Sequence, residues 1–300
     1  YSTLFEPCQR VLSNLSFPET HFSEKIRFFS PSFDKVAVQY RKAEEGAAFL
    51  AVFLFTFKRY ERKYLITEEQ YDALMKRLDG KMVEDLYARS LITNIYYDTP
   101  DFRLIRQSLE KPVYKEKLRL RSYGVPKEDS KVFVEIKKKY KGVVYKRRIQ
   151  APLSDAVKFL DGGPCPEPGQ IGNEISYFVS FYKGLAPAMF ISYERYSLAS
   201  PTDSVLRMTF DRNITWRTED LDLTCGIYGR KLDLNGKVLM EVKIPGVVPL
   251  WLSHIFDDLK ILPDSVSKYG RAYSSAFSTG LVCPEEAARR FLLDSRAGML

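Results

Sequence analysis

From Tyr114 the chain alternates polar and apolar residues with a period of two. The run YKEKLRLRSYG puts Lys115, Lys117, Arg119 and Arg121 at every second position. After a polar turn (VPKEDS), KVFVEIKKK continues the pattern with Glu135, Lys137 and Lys139. Residues i and i+2 of a strand share one face. The alternation therefore predicts a hairpin over 114–139. One face carries a file of cations and one carboxylate; the other carries Leu118, Leu120, Val132, Val134 and Ile136. An ordinary half-buried hairpin mixes its polar residues. This one is nearly all cationic, which points to a surface that holds a polyanion.

The rest of the chain divides by the same two periods. FKRYERKYLI predicts a strand with Glu61 and Lys63 on one face and Tyr60, Arg62 and Tyr64 on the other. Thr67, with Gln70 three residues on, is a capping box. It opens a helix to Asp79 with Tyr71, Leu74, Met75 and Leu78 as its apolar stripe, closed by Gly80. Further strands are predicted over 91–98, 143–151, 189–198, 205–216 and 237–244. Helices are predicted over 154–160, from an Asn173 cap to Tyr182, and over 249–259 and 265–277. The run PDFRLIRQSLE reads as a short helix or an irregular segment. The sum is about eight strands and four or five helices, an α+β chain without an internal repeat.

Composition narrows the chemistry. A 300-residue chain with 45% hydrophobic residues has room for a proper core. A net charge of +8 suits a nucleic-acid, phosphate or anionic-membrane partner and specifies none of them. Cys8, Cys165, Cys225 and Cys283 lie far apart with no CxxC pair, so they read as reduced thiols of a cytoplasmic protein. With only His21 and His254, a Ser-His-Asp triad or a His-rich metal site is disfavoured. The work falls to carboxylates, cations and a metal. The expected organisation is a poorly structured segment or leader over 1–50, a folded domain over 51–280 and a tail over 281–300. The apolar run over 46–57 is too short to span a bilayer, which needs about 20 residues. It reads as a buried leading strand or a leader. No transmembrane segment is predicted, and peripheral membrane association stays open.

The i/i+2 charge pattern recurs in Glu61-x-Lys63, Arg207-x-Thr209-x-Asp211 and Glu241-x-Lys243, and Arg195 adds a cation to the strand of Tyr193. If these faces all point inward, they cannot line a dry core, because unpaired charges do not stand in one. They fit the wet interior of a closed antiparallel barrel of about eight strands. Phosphoryl transfer asks mainly for neutralisation of non-bridging oxygens, which Arg and Lys supply. Magnesium or manganese prefers carboxylate oxygen.

At this point the residues resemble a family. ERKY at Glu61, YYD at Tyr96, KLRLRSYG at Lys117, VEIKKK at Val134, YERYSL at Tyr193, RMTFD at Arg207, MEVKIPG at Met240 and SKYGRAY at Ser267 are similar to the VTC domain. That is the polyphosphate polymerase domain of the triphosphate tunnel (CYTH-like) superfamily. The resemblance implies a basic tunnel in which the γ-phosphoryl of ATP passes to a growing polyphosphate chain. It implies catalytic and phosphate-holding roles for Lys63, Arg119, Arg121, Lys137, Arg195, Arg207 and Lys268, with Lys117 and Lys243 as further phosphate ligands. It implies Glu241 as the ligand of a divalent Mn2+ or Mg2+, with Glu135 and Glu61 as further candidates. Glu135 reads instead, preferentially, as the ion-pair partner that holds Lys137. Asp211 reads as a group that orients an Arg or binds metal. Lys139, Lys146, Arg147 and Arg148 read as a basic rim that steers anions, and Tyr193 and Tyr269 as packing. Arg59 stands where the hydrolase and cyclase branch of the superfamily has the first Glu of Glu-x-Glu-x-Lys, which favours the polymerase-like branch. With no room for a sensor domain or membrane anchor, the chain resembles the stand-alone bacterial form. The alternatives are a tripolyphosphatase or nucleoside triphosphatase using water, and a non-catalytic polyphosphate- or RNA-binding module. No nucleic-acid partner is expected, because the aromatic residues alternate away from the cations.

Overall fold

The structure is a computed structural model that describes residues 60–284 except 204 and 245. The expectations for the segment over 1–50, the apolar run over 46–57, Cys8 and His21 lie outside the described residues, as does all but the start of 281–300. The described chain forms ten strands: β1 (Tyr60–Ile66), β2 (Val83–Asp98), β3 (Tyr114–Tyr123), β4 (Lys131–Tyr140), β5 (Val143–Pro152), β6 (Ala186–Ala199), β7 (Arg207–Arg217), β8 (Arg230–Lys231), β9 (Val238–Ile244) and β10 (Pro263–Asp264). Six helices accompany them: α1 (Glu68–Leu78), α2 (Arg103–Leu109), α3 (Leu153–Leu160), α4 (Gln170–Phe181), α5 (Leu250–Asp258) and α6 (Lys268–Ser278). The α+β antiparallel architecture expected from the alternation is the one found.

Local chemistry explains most boundaries. Thr67 Oγ1 accepts from Gln70 N at 3.2 Å, and Gln70 Oε1 accepts from Thr67 N at 3.0 Å. The capping box at the start of α1 is thus formed in both directions. α4 begins at Gln170, not behind an Asn173 cap. Gly172 explains the earlier start: a Cβ there would meet the Glu167 carbonyl oxygen at 2.3 Å, so only glycine lets this first turn sit so close to the preceding loop. β2 begins at Val83, well before the predicted strand. Its polar first half pairs with the end of β6 (Val83 with Ala199), and an irregularity between Glu84 and Arg89 hides the alternation.

All ladders are antiparallel, in the order β10-β1-β9-β7-β6-β2-β3-β4-β5, with β8 on β7. The sheet curls but its ladder does not close, which departs from the expected closed barrel of about eight strands. β10 pairs with β1 at Lys63 and Tyr64 and occupies the edge that β5 would need. What bridges the two ends is a side-chain contact: Lys137 of β4 donates to both carboxylate oxygens of Glu61 of β1, each at 2.8 Å.

Three apolar clusters surround the charged surface. On the convex side, Leu118, Leu120, Val132, Val134 and Ile136 are fully buried under α3 and α4. Also convex, Tyr64, Ile66, Met208, Phe210, Met240 and Val242 pack with α1 and α5. The third cluster lies on the concave side. Ile191, Ile214, Trp216 and Leu239 pack there against Tyr269, Ala272, Tyr273 and Ala276 of α6. Asn213, at φ 51°, makes this possible. It sits in a bulge between β6 and β7 that resets the alternation, so Asp211 and Ile214 both face inward. Burial of roughly 1.5–3 kcal/mol per large apolar side chain sets the curl of the sheet. The concave face is apolar at the α6 end and charged beyond it.

Candidate active site

The register brings the predicted cations to one concave surface. β3 contributes Lys115, Lys117, Arg119 and Arg121, paired across to Lys139, Lys137, Glu135 and Phe133 of β4. β1, β9 and β7 contribute Lys63, Glu241 and Thr209 as one row and Glu61, Lys243 and Arg207 as the next. Arg195 of β6 lies opposite Asp211 of β7. Lys268 comes from the first turn of α6. Lys146 of β5 shares the surface because it lies opposite Lys137.

Each carboxylate has a distinct use. Glu135 is 1% exposed and takes Arg119 Nε at 2.8 Å and Nη2 at 2.7 Å on one oxygen. Arg121 Nε stands 3.7 Å from that same oxygen, and Lys146 Nζ 2.5 Å from the other. Glu135 therefore holds two arginines and Lys146, and the expectation that it holds Lys137 is corrected. Lys137 reaches Glu61 instead, because the curl brings β4 against β1. Burial raises the Glu135 carboxyl, but Arg119, Arg121 and Lys146 outweigh it and hold it well below the usual range. Asp211 is fully buried. It receives Arg195 Nε and Nη2 at 2.7 and 2.8 Å and also pairs with Lys268. Burial pushes its carboxyl up, and Arg195 and Lys268 bring it down to about 2.

Glu241 is different. It is 8% exposed, yet its nearest cations are Lys243 at 3.5 Å and Lys63 at 3.9 Å, neither a hydrogen bond of good length. Burial raises its carboxyl, but Lys243, Lys63 and Lys137 hold it well below normal, so it is ionised. Opposite it on β7, the buried Thr209 Oγ1 has no hydrogen-bond partner among the described residues. An anionic oxygen and an orphaned hydroxyl side by side suit a hard cation, which prefers oxygen ligands. Among the described residues no three His, Cys, Asp or Glu side chains converge on a metal position. Mg2+ commonly needs only one or two carboxylates plus substrate phosphates, so the residues fit a divalent ion.

The cations keep donors for a ligand. Arg119 spends Nε and Nη2 on Glu135 and one Nη1 hydrogen on the Tyr96 hydroxyl at 3.3 Å. Two of its five N–H groups remain. Arg121 donates to Asn94 Oδ1 at 3.0 Å and to the Tyr193 hydroxyl at 3.2 Å. Sequence reasoning missed Asn94 and Tyr96 as parts of this surface, and it read Tyr193 as packing and Lys146 as a rim cation, where the structure puts both beside the arginines. Their strand parity was the available signal. Lys63 donates to the Val266 carbonyl at 3.0 Å and Lys117 to Ser267 Oγ at 2.9 Å. Arg207, paired with Asp85 at 3.6 Å, stands at the open rim. Tyr269, read as packing, also donates to the buried Asp98 carboxylate at 2.8 Å.

The family model of the VTC domain matches residues 58–277, most of the chain. The chain belongs to the VTC domain family. No curated protein matches it in sequence. Among solved structures, this VTC domain is similar to a putative adenylate cyclase from Bacillus halodurans, with 16% identity and a TM-score of 0.45, over 70% of this chain and 95% of that one. It is also similar to a putative adenylyl cyclase from Hippeastrum described as having a dominant triphosphatase activity. There the identity is 15% and the TM-score 0.42, over 74% and 96% of the two chains. The capping enzyme triphosphatase of Mimivirus matches at 10% identity and a TM-score of 0.33, over 73% and 97%. Among the described residues no helix is long and apolar enough to cross a membrane.

The VTC channel is strained by its own charge. Burial, then Lys63, Lys137 and Lys115, depress Lys117 to about 7. A bound anion raises that value again, so binding takes up a proton, and anion affinity falls as pH rises above 7. Burial would raise the Tyr193 phenol, but Arg121, Arg195 and Lys268 bring it to about 8, and its phenolate repels anions too. Calorimetry with inorganic tripolyphosphate is expected to show affinity dropping between pH 7 and 9, by at most about tenfold per unit for each proton linked. Lys117→Gln removes the part of the slope near pH 7 and leaves the part near pH 8.

Proposed function

We propose that this VTC domain is a metal-dependent polyphosphate polymerase, an ATP–polyphosphate phosphotransferase working in the basic channel. The observation that carries the reading is the charge of the concave face. Among the described residues Lys63, Lys115, Lys117, Arg119, Arg121, Lys137, Lys139, Lys146, Arg195, Arg207, Lys243 and Lys268 share it with the carboxylates of Glu61, Asp98, Glu135, Asp211 and Glu241. A nucleoside triphosphate brings about four negative charges. The excess of cations is roughly twice that, so the surface suits a nucleotide together with a longer phosphate chain.

The residues divide the work. Arg119, Arg121 and Arg195 are clamped by Glu135, Asn94 and Asp211, so their free N–H groups are aimed before substrate arrives. Such preorganised donors stabilise the charge of phosphoryl transfer without reorganisation. Lys63, Lys117, Lys137, Lys243 and Lys268 supply point charges, and Arg207 captures phosphate at the rim. Glu241 would hold Mn2+ or Mg2+, which supplies charge neutralisation at phosphate oxygens, while Glu61 keeps both oxygens on Lys137. No protein nucleophile is needed: an acceptor phosphate oxygen attacks in line.

Purified protein incubated with ATP and Mn2+, its products resolved on a gel stained for polyphosphate, is expected to give a ladder of long chains. Glu241→Gln abolishes the ladder and keeps polyphosphate binding. Free phosphate without chains would replace this reading by a triphosphatase. Tight polyphosphate binding with no ATP consumed would replace it by a binding module.

A further inference from the structure

The Thr209 hydroxyl is a buried oxygen on the charged part of the concave face that the scheme above leaves without a task. Thr209 is 5% exposed, and its Oγ1 meets no hydrogen-bond partner among the described residues. An unsatisfied buried hydroxyl is destabilising, and valine, of the same shape, removes that cost. Threonine at this position therefore needs a reason. Its surroundings supply one. Thr209 lies directly opposite Glu241 on β9, the buried carboxylate whose nearest cations stay at 3.5 Å or beyond. On its other side it lies opposite Ser197 of β6, a second buried hydroxyl residue. Cross-strand partners have Cβ atoms about 4.5–5.5 Å apart, close enough for their oxygens to share one small ligand. The other two inward carboxylates nearby are engaged: Glu61 takes Lys137 on both oxygens, and Asp211 takes Arg195 and Lys268.

We propose that Thr209 Oγ1 belongs, with the Glu241 carboxylate, to the divalent-cation site of this domain. The inference rests on the reading of Glu241 as the metal ligand. It adds a neutral oxygen donor beside the carboxylate, and it uses the lone pairs of a hydroxyl that has nothing else to bind. A valine there leaves the carboxylate without its neighbouring donor. A serine keeps the oxygen in place.

The test is calorimetric titration of the nucleotide-free protein with MnCl2, for the wild type, Thr209→Val, Thr209→Ser and Glu241→Gln. Thr209→Val is expected to bind Mn2+ at least tenfold more weakly, and Thr209→Ser within about threefold of the wild type. The metal-free Thr209→Val protein is expected to melt no lower than the wild type, which separates a lost ligand from a damaged fold. Wild-type affinity in Thr209→Val, with binding lost in Glu241→Gln, would overturn the role of Thr209 and leave the reading of Glu241 standing. Equal affinity in all four proteins, or no Mn2+ binding by the wild type, would overturn both.

Discussion

Arg119→Ala is expected to lower the rate of chain synthesis by about 10²–10³, the cost typical of removing one preorganised donor to the transition state. The structure explains why the loss is large. Glu135 and Tyr96 fix three donors of the guanidinium, so the remaining two point in a set direction. The substitution also frees one oxygen of a carboxylate that is 1% exposed. Lys146 and Arg121 remain beside it, so the stability cost is about 1–3 kcal/mol, well short of unfolding. Arg119→Lys separates the two effects. A lysine keeps the charge but not the planar fork, so the fold recovers more than the rate does. Steady-state kinetics and urea denaturation on both variants check this. A rate within threefold of the wild type in Arg119→Ala would remove Arg119 from the phosphate-binding set.

The largest stability effect is expected far from the channel, at Arg217. Its guanidinium is 1% exposed and donates to the carbonyls of Glu219, Asp220, Asp222, Gly226 and Tyr228, at 3.0–3.2 Å. It lies 3.7 Å from the Phe190 ring centroid and 4.3 Å from that of Tyr228. One side chain thus gathers the loop between β7 and β8. Gly229 completes the wrap: at φ 131°, a Cβ there would meet the Trp216 carbonyl oxygen at 2.4 Å. Arg217→Ala leaves those carbonyls to water and a cavity beside Phe190. A cost of about 3 kcal/mol is expected, as for loss of a buried hydrogen-bonded network. Arg217→Lys recovers little, since an ammonium has three donors where the guanidinium has five. The urea midpoint and cleavage of this loop by protease report the change. A loss below about 1 kcal/mol would mean that the loop holds without its anchor.

The two residues were unequally legible. Arg119 stands in an uninterrupted i/i+2 file, so its face follows from strand geometry alone. Arg217 ends β7 beyond the bulge at Asn213, and nothing in its neighbours signals that five carbonyls will fold over it. The same division runs through the channel. Parity placed Lys63, Lys117, Lys137, Lys243 and Glu241 on one side of their strands, and the Thr67–Gln70 capping box located α1. Parity also placed Thr209 inward, but its missing partner shows only once the neighbouring strands are set beside it. Glu135 was assigned to Lys137, its neighbour at i+2, and instead holds Arg119 across the ladder.

What the sequence by itself determined is therefore local and periodic. It set which residues share a face, where helices are capped, and that one face carries charge that a dry core would reject. These follow from backbone geometry and solvation, which act over a few residues. The tertiary structure decided the pairings. The curl of the sheet brings Lys137 to Glu61, β10 takes the edge that would close the barrel, and α6 delivers Lys268 to Asp211 from 57 residues away. Such contacts depend on the register and curvature of ten strands together. Curvature comes from packing three apolar clusters at once, a sum over the whole domain that no short stretch of sequence contains.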